Sequence, residues 1–306
     1  MSVHAQTLRF GAMGTRIEAH LFCDGDAGAA LHAVRAVIER VDAVLTGHRP
    51  SPLTRLNRRL AEARSAPVDD PLLLDALERA GECHALTGGL FDVTADVTAG
   101  LTVAAAGDGT GRRTRWTDVE IDRDAARVHA AAPLGFDFGG FGKGYALDLV
   151  RPQLEAAAIG SALVTLGDSS ILAYGPHPLG GDWELHVPHP LRPGCTLWAL
   201  SLADATVSVS STVANGAERP DRAATRHPLT GVPVRSAVTA IAACAGGGRS
   251  EALSTALLLA GPEQRERLRA AAPEARLRHF DFDRVSPPAR GDGRDRGSDR
   301  TDALDA

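Results

Sequence analysis

Lys143 is the only lysine in 306 residues; the chain uses arginine for its other long basic side chains. It stands in FDFGGFGKGYALDLV, Phe136 to Val150, where three phenylalanines and four glycines lead into an amphipathic segment. Glycines ahead of a helix let backbone amides approach an anion, and the helix dipole favours negative charge at that end. A lysine in the first turn opposes the dipole unless an anion lies close by. A compact ammonium is also not interchangeable with a planar guanidinium at a crowded site. The residues therefore suggest contact with a phosphate-bearing ligand, against the plainer alternative of a tight glycine turn with an exposed lysine. Two familiar phosphate motifs are absent. Gly144 follows Lys143 where a P-loop needs Ser or Thr, and Gly140, Gly142 and Gly144 do not have dinucleotide-fingerprint spacing. Asp137, just upstream, is either a turn or cap residue or a group that meets a ligand hydroxyl, amide or proton.

The elements that must carry these residues read as follows. Leu8 to Phe22 alternates with a period of two and predicts a β-hairpin. Leu31, Val34, Ile38, Val41 and Leu45 have helical spacing. A second helix runs from Pro71 to the Gly88-Gly89 stop. The segment Lys143–Ala158 is helical, as are Ser250–Ala260 and Glu263–Ala272. Strands are expected at Ala126–His129, Ala162–Leu166, Trp183–Val187, Leu197–Leu202 and Ala237–Ala243. Irregular alternation with hairpins fits an α+β fold with mixed or antiparallel sheets and packed helices, rather than a doubly wound parallel sheet. Residues 1–285 read as the folded part, and 286–306 as a disordered tail of alternating Arg and Asp. Gly107–Arg113 reads as a surface loop.

Composition narrows the function. A net charge of −5 with interspersed signs argues against nucleic acid as partner. Four cysteines without a C-x-x-C pair suggest neither a disulfide framework nor a zinc site. His186 and His189 are close in sequence, but strand alternation would put them on opposite faces. The first residues lack a basic, then apolar, leader, so the expectation is a cytoplasmic protein without a membrane anchor.

Asp137 to Asp148, DFGGFGKGYALD, resembles the D-L-G-G-x-x-K-G-Y-A-x-D signature of the FAD:protein FMN transferases, the ApbE-like family. Further blocks resemble it in the same order: Ala12–Thr15, PLTRLN from Pro52, TGGLFDVT from Thr87, ALVTLG from Ala162, PLTGVP from Pro228 and SEALSTALLLAG from Ser250. The resemblance implies a T-fold-related α+β architecture with an active cleft between two lobes. It implies transfer of FMN from FAD to a threonine of a partner protein, with magnesium and release of AMP. A catalytically degenerate FAD-binding protein and an FAD pyrophosphatase are the alternatives.

Carried onto this chain, the resemblance makes Asp137, Lys143 and Glu251 the catalytic candidates. Met13, Leu90, Phe91, Asp92, Asp137, Lys143 and Arg226 would contact FAD, and Gly140, Glu251, Ser254 and Thr255 would hold Mg2+. Glu251 and Thr255, four apart on a helix, share a face suited to an oxygen-loving ion. The chain also departs from the pattern. Glu251 replaces the usual Asp, His227 replaces an acid, Gly167-Asp168-Ser169 replaces a Gly-Gly turn, and Gly47-His48 stands where an aromatic is usual.

Overall fold

The computed structural model describes residues 4–94, 115–213 and, between 227 and 283, all but 229, 231 and 233. The expected tail, the Gly107–Arg113 loop and Arg226 lie outside the described residues. Strands β1 (His4–Ala12) and β2 (Thr15–Cys23) form the predicted hairpin. Its two-residue connection is Met13-Gly14, both with positive φ (53° and 70°). That conformation suits glycine and is uncommon for methionine.

Helix α1 (Gly28–Leu45) buries Leu31, Val34, Ile38, Val41 and Leu45, the predicted stripe. Helix α2 (Pro52–Glu62) carries the PLTRLN block. Ser51 caps it by accepting from Thr54 N, Pro52 opens it, and Leu53, Leu56 and Leu60 are buried at helical spacing. Helix α3 (Pro71–Leu86) starts on an Asp70 cap. Between α2 and α3 lies the short strand β3 (Ser65–Pro67), which pairs with β5 (Arg127–Ala130); β4 (Val119–Asp122) completes that three-stranded sheet.

Helix α4 (Gly142–Ala156) follows the glycine-rich turn. Strands β6 (Ser161–Leu166), β7 (Ser170–Tyr174), β10 (Ala205–Ser211), β11 (Val238–Cys244) and β12 (Arg276–Asp281) join the hairpin in one seven-stranded sheet. Its order is β1-β2-β6-β7-β10-β11-β12, and every neighbouring pair is antiparallel. Helix α5 (Gly247–Leu259) packs against α4 and against β10 and β11, and α6 (Pro262–Ala271) follows it.

The pleat sorts the sheet residues. Val207, Ile241 and Ala243 face a separate cluster with Trp183, Leu200 and Leu202 of the hairpin β8 (Trp183–Pro188) and β9 (Thr196–Leu202). The alternate residues Ala240 and Ala242 join the main core with the helices. An antiparallel sheet with helices on one face is the predicted α+β architecture. Among the described residues no helix is long and apolar enough to cross a membrane.

His279 on β12 is half-buried, and burial, with Arg265 and Arg269 nearby, pushes its pKa down to about 4. The unfolded chain therefore takes up a proton that the folded one refuses. Stability is fully present above the ordinary value of 6.5 and is lost as pH falls from there towards 4. His279→Gln is expected to flatten this acid sensitivity in urea melts at pH 7 and pH 5.

Candidate functional site

Three buried phenylalanines hold the glycine-rich turn. Phe136, Phe138 and Phe141 are each 2% exposed or less, and Phe141 stacks on Tyr145 and contacts Phe91. Asn57 of α2 pins the start of the turn: its amide donates to Phe136 O at 2.8 Å and accepts from Phe136 N at 2.9 Å. Asp137 N donates to Val93 O at 2.7 Å, joining the turn to the segment after α3. That segment is stiffened by Asp92, whose carboxylate accepts from Thr94 N, Thr94 Oγ1 and Trp116 N.

The four glycines of the motif do different work, and none has positive φ. Gly139 and Gly140 are exposed and line a cleft. Gly142 and Gly144 are buried, and they are small for packing reasons rather than to cradle an anion. A Cβ on Gly142 would press on Met13 Cε at 3.1 Å. One on Gly144 would overlap the carbonyl oxygen of Gly247 and lie 2.5 Å from Glu251 Cγ. A Cβ on Gly247 would in turn overlap the Gly144 carbonyl. Helices α4 and α5 thus touch backbone to backbone, which sets Lys143 near Glu251.

The amino terminus of α5 is already satisfied from within. Asp148 of α4 accepts from Gly247 N at 2.6 Å and Gly248 N at 2.9 Å. Burial raises the Asp148 pKa, and the two amides oppose that shift. Asp148→Ala is expected to lower stability by about 1–2 kcal/mol, the usual cost of a lost cap, read as a lower urea midpoint with an unchanged slope.

The cleft has a volume of about 360 Å³. The glycine turn, the segment after α3, one end of β10 and one side of α5 form its walls. Its charged residues among those described are Lys143, Asp92, Asp137 and Glu251. Asp137 is exposed, with one carboxylate oxygen accepting from Gly139 N at 2.7 Å. Glu251 is 5% exposed. Burial raises its pKa, opposed by the Lys143 charge, by the hydroxyls of Ser170 and Ser208 and by the Gly144 amide.

Of the residues expected from sequence, Leu90, Phe91, Asp92, Asp137, Gly140, Lys143, Glu251 and Thr255 come together on this cleft. Two do not lie on its wall. Met13 sits beneath the turn against Gly142, and Ser254 is fully buried behind Glu251, bonded to Ser208 and Ser210. Ser169, Ser210, Ser211 and Pro228 also line it and were missed. A sequence signal existed for Ser210 alone, in the alternation of Val207, Ser208, Val209 and Ser210, a period-two strand with small polar residues on one face.

Among the described residues no group of three or more His, Cys, Asp or Glu side chains is placed to hold a metal. The donors present are all oxygens. Glu251 supplies one carboxylate, Thr255 Oγ1 is 3.5 Å from Ser210 Oγ, and Gly140 faces Thr255. That set suits magnesium, which takes one or two protein carboxylates and completes its octahedron with water and substrate phosphate.

The seven-stranded sheet, its helical layer and this cleft define an α+β protein with the fold of solved flavin transferases. The apo flavinyl transferase ApbE of Pseudomonas stutzeri aligns with a TM-score of 0.73 at 21% identity, covering 92% of this chain and 91% of that one. The flavin transferase ApbE of Vibrio cholerae gives 0.72 at 18% identity over 92% and 97%. The ApbE protein of Thermotoga maritima gives 0.72 at 23% over 90% and 93%. The chain belongs to the ApbE family, whose sequence profile matches residues 13–277. A curated relative, the FAD:protein FMN transferase of Rhodobacter capsulatus, is 26% identical over 288 residues, covering 85% of this chain. This chain spans about half of that relative's length (52%).

Proposed function

We propose that this chain transfers the FMN half of FAD onto a threonine hydroxyl of a partner protein and releases AMP, with magnesium in the cleft. The observation that carries this reading is the convergence of Asp137, Lys143, Glu251 and Thr255, from a turn and two helices far apart in sequence, on one cleft. Family membership and the Rhodobacter capsulatus relative support it.

The chemistry is displacement at phosphorus. The hydroxyl oxygen bonds to the FMN phosphorus, the bond to the bridging oxygen breaks, and AMP leaves with that oxygen. Lys143 neutralises charge on the diphosphate, worth most in a water-poor cleft. Glu251, Thr255 and Gly140 are the residues that would hold the ion, which when bound would offset the charge that builds on the leaving phosphate. Asp137, at the exposed rim, accepts the proton of the attacking hydroxyl or a hydrogen bond from the flavin. Leu90 and Phe91 give the flavin an apolar wall.

The test is incubation of the purified chain with FAD, Mg2+ and candidate acceptor proteins, followed by measurement of AMP, FMN and protein-bound flavin. AMP with covalent flavin on the acceptor is the expected result. Free FMN and AMP would identify a pyrophosphatase, and tight FAD binding without turnover a binding protein.

A further inference from the structure

Glu251 is held by a ladder of hydroxyls that the proposed reaction does not account for. Ser170 Oγ on β7 donates to Oε1 at 2.5 Å, and Ser208 Oγ on β10 donates to Oε2 at 2.9 Å. Ser170 and Ser208 are directly opposite each other in the β7–β10 ladder, so one cross-strand pair grips both carboxylate oxygens. All three residues are buried. The contacts continue from Ser208 Oγ to Ser254 Oγ at 2.9 Å, and from Ser254 Oγ to Ser210 Oγ at 2.8 Å. Ser254 Oγ is also placed to donate to the backbone oxygen of Glu251 at 3.1 Å.

Each hydroxyl has one proton to give. Ser208 gives its proton to the carboxylate, so towards Ser254 it offers only lone pairs. Ser254 gives its own proton to Ser208 or to the backbone oxygen of Glu251, and in either case accepts from Ser210. The chain has one direction, ending on Glu251, and each bond polarises the next. Ser210, the last member, spends its proton inward. Its oxygen lies on the cleft wall, 3.5 Å from Thr255 Oγ1, and presents lone pairs there. A serine turned this way is a poor donor to phosphate and a good ligand for a hard cation.

We infer that Ser210 is an additional oxygen donor to the cation of the cleft, oriented through Ser254 and Ser208 by Glu251. The inference rests on the reading of Glu251 and Thr255 as the cation site. It gives Ser254 a positioning role rather than a ligand's place, in keeping with its burial behind Glu251. It also explains how the longer Glu251 is kept in register: the serine pair fixes its carboxylate from the sheet side, so the extra methylene does not leave it free to swing.

The experiment uses Mn2+ alone as probe, titrated into the full chain without FAD and followed by the electron paramagnetic resonance signal of free Mn2+. Wild type should bind one ion, and Glu251→Gln and Thr255→Val should weaken it. Ser210→Ala should weaken binding about ten-fold, and Ser208→Ala, remote from the cleft wall, by a similar factor, the usual scale for lost supporting contacts. Ser210→Thr keeps the oxygen and should stay within about two-fold of wild type, on the same scale. Thermal melts of each variant separate loss of fold from loss of the site. If Glu251→Gln and Thr255→Val weaken Mn2+ but Ser210→Ala does not, the role of Ser210 is wrong and the cation site stands. If wild type binds no Mn2+, or Glu251→Gln changes nothing, the cation site itself is wrong and Ser210 falls with it.

Discussion

Gly144→Ala is expected to destabilise the protein by at least about 3 kcal/mol, near the upper end for an overpacked core. Most added methyl groups find a side chain that yields. Here the methyl meets the carbonyl of Gly247, which is backbone in the first turn of a buried helix, and the Cγ of Glu251. Relief requires α4 and α5 to separate, and both also pack elsewhere: α4 on α1, and α5 on β10 and β11. The measurement is a thermal melt, where a loss of this size lowers the midpoint by roughly 5 °C for a chain of this length. Gly140→Ala is the internal contrast. Its added Cβ would lie 3.9 Å from Thr255 Oγ1, an ordinary contact, so the midpoint should barely move. Equal effects of the two substitutions would refute the division of the motif into packing and cleft glycines.

Lys143→Ala is expected to lower kcat about 100- to 1000-fold, the scale found when one preorganised charge-stabilising group is removed. Fold should be kept, since the side chain is only half-buried. Lys143→Arg is the sharper variant. It preserves charge but brings a wide, planar group into the first turn of α4, beside a buried Glu251 that the Lys143 charge helps keep ionised. Both FAD affinity and turnover should fall with arginine. Unchanged values for arginine would mean that only charge matters, and unchanged values for alanine would remove Lys143 from the reaction.

The elements with a clean apolar period were legible in the sequence. The β1–β2 hairpin, α1, α3, α4 and α5 stand within a few residues of their expected bounds because Leu31, Val34 and Ile38, or Ile17, Ala19 and Leu21, repeat at the spacing of one face. Strand β10 was not legible: alternating serine and valine is too polar to suggest a core strand, although Ser208 is fully buried. Helix α2 was quoted only as a block of similarity, while its Ser51 cap and its leucines at 53, 56 and 60 carried the helical signal. Lys143 stood out in the sequence by type and spacing, while Glu251 and Asp137 were singled out mainly through the resemblance, and the structure brings all three to one cleft. The roles of the glycines were not legible, because Gly144 is explained by Gly247, about a hundred residues away, and no local pattern contains that contact. Ser210 carried only the weak alternation of its strand, and its contacts with Ser254 and Thr255 lie 44 and 45 residues away.

The residues described around the cleft carry three acids, Asp92, Asp137 and Glu251, against the one lysine. With all of them ionised, a dianionic diphosphate entering alone would meet a net negative field, the reverse of an arginine-rich phosphate pocket. Screening should then help rather than hinder: FAD affinity in metal-free buffer should hold or rise as sodium chloride is added, where a basic pocket would lose it. A divalent ion would do the same at far lower concentration by cancelling two charges at the point of entry. Nucleotide and cation would therefore bind cooperatively, and by reciprocity each would tighten the other by the same factor. A protein short of either partner would hold the other more weakly, by that same factor.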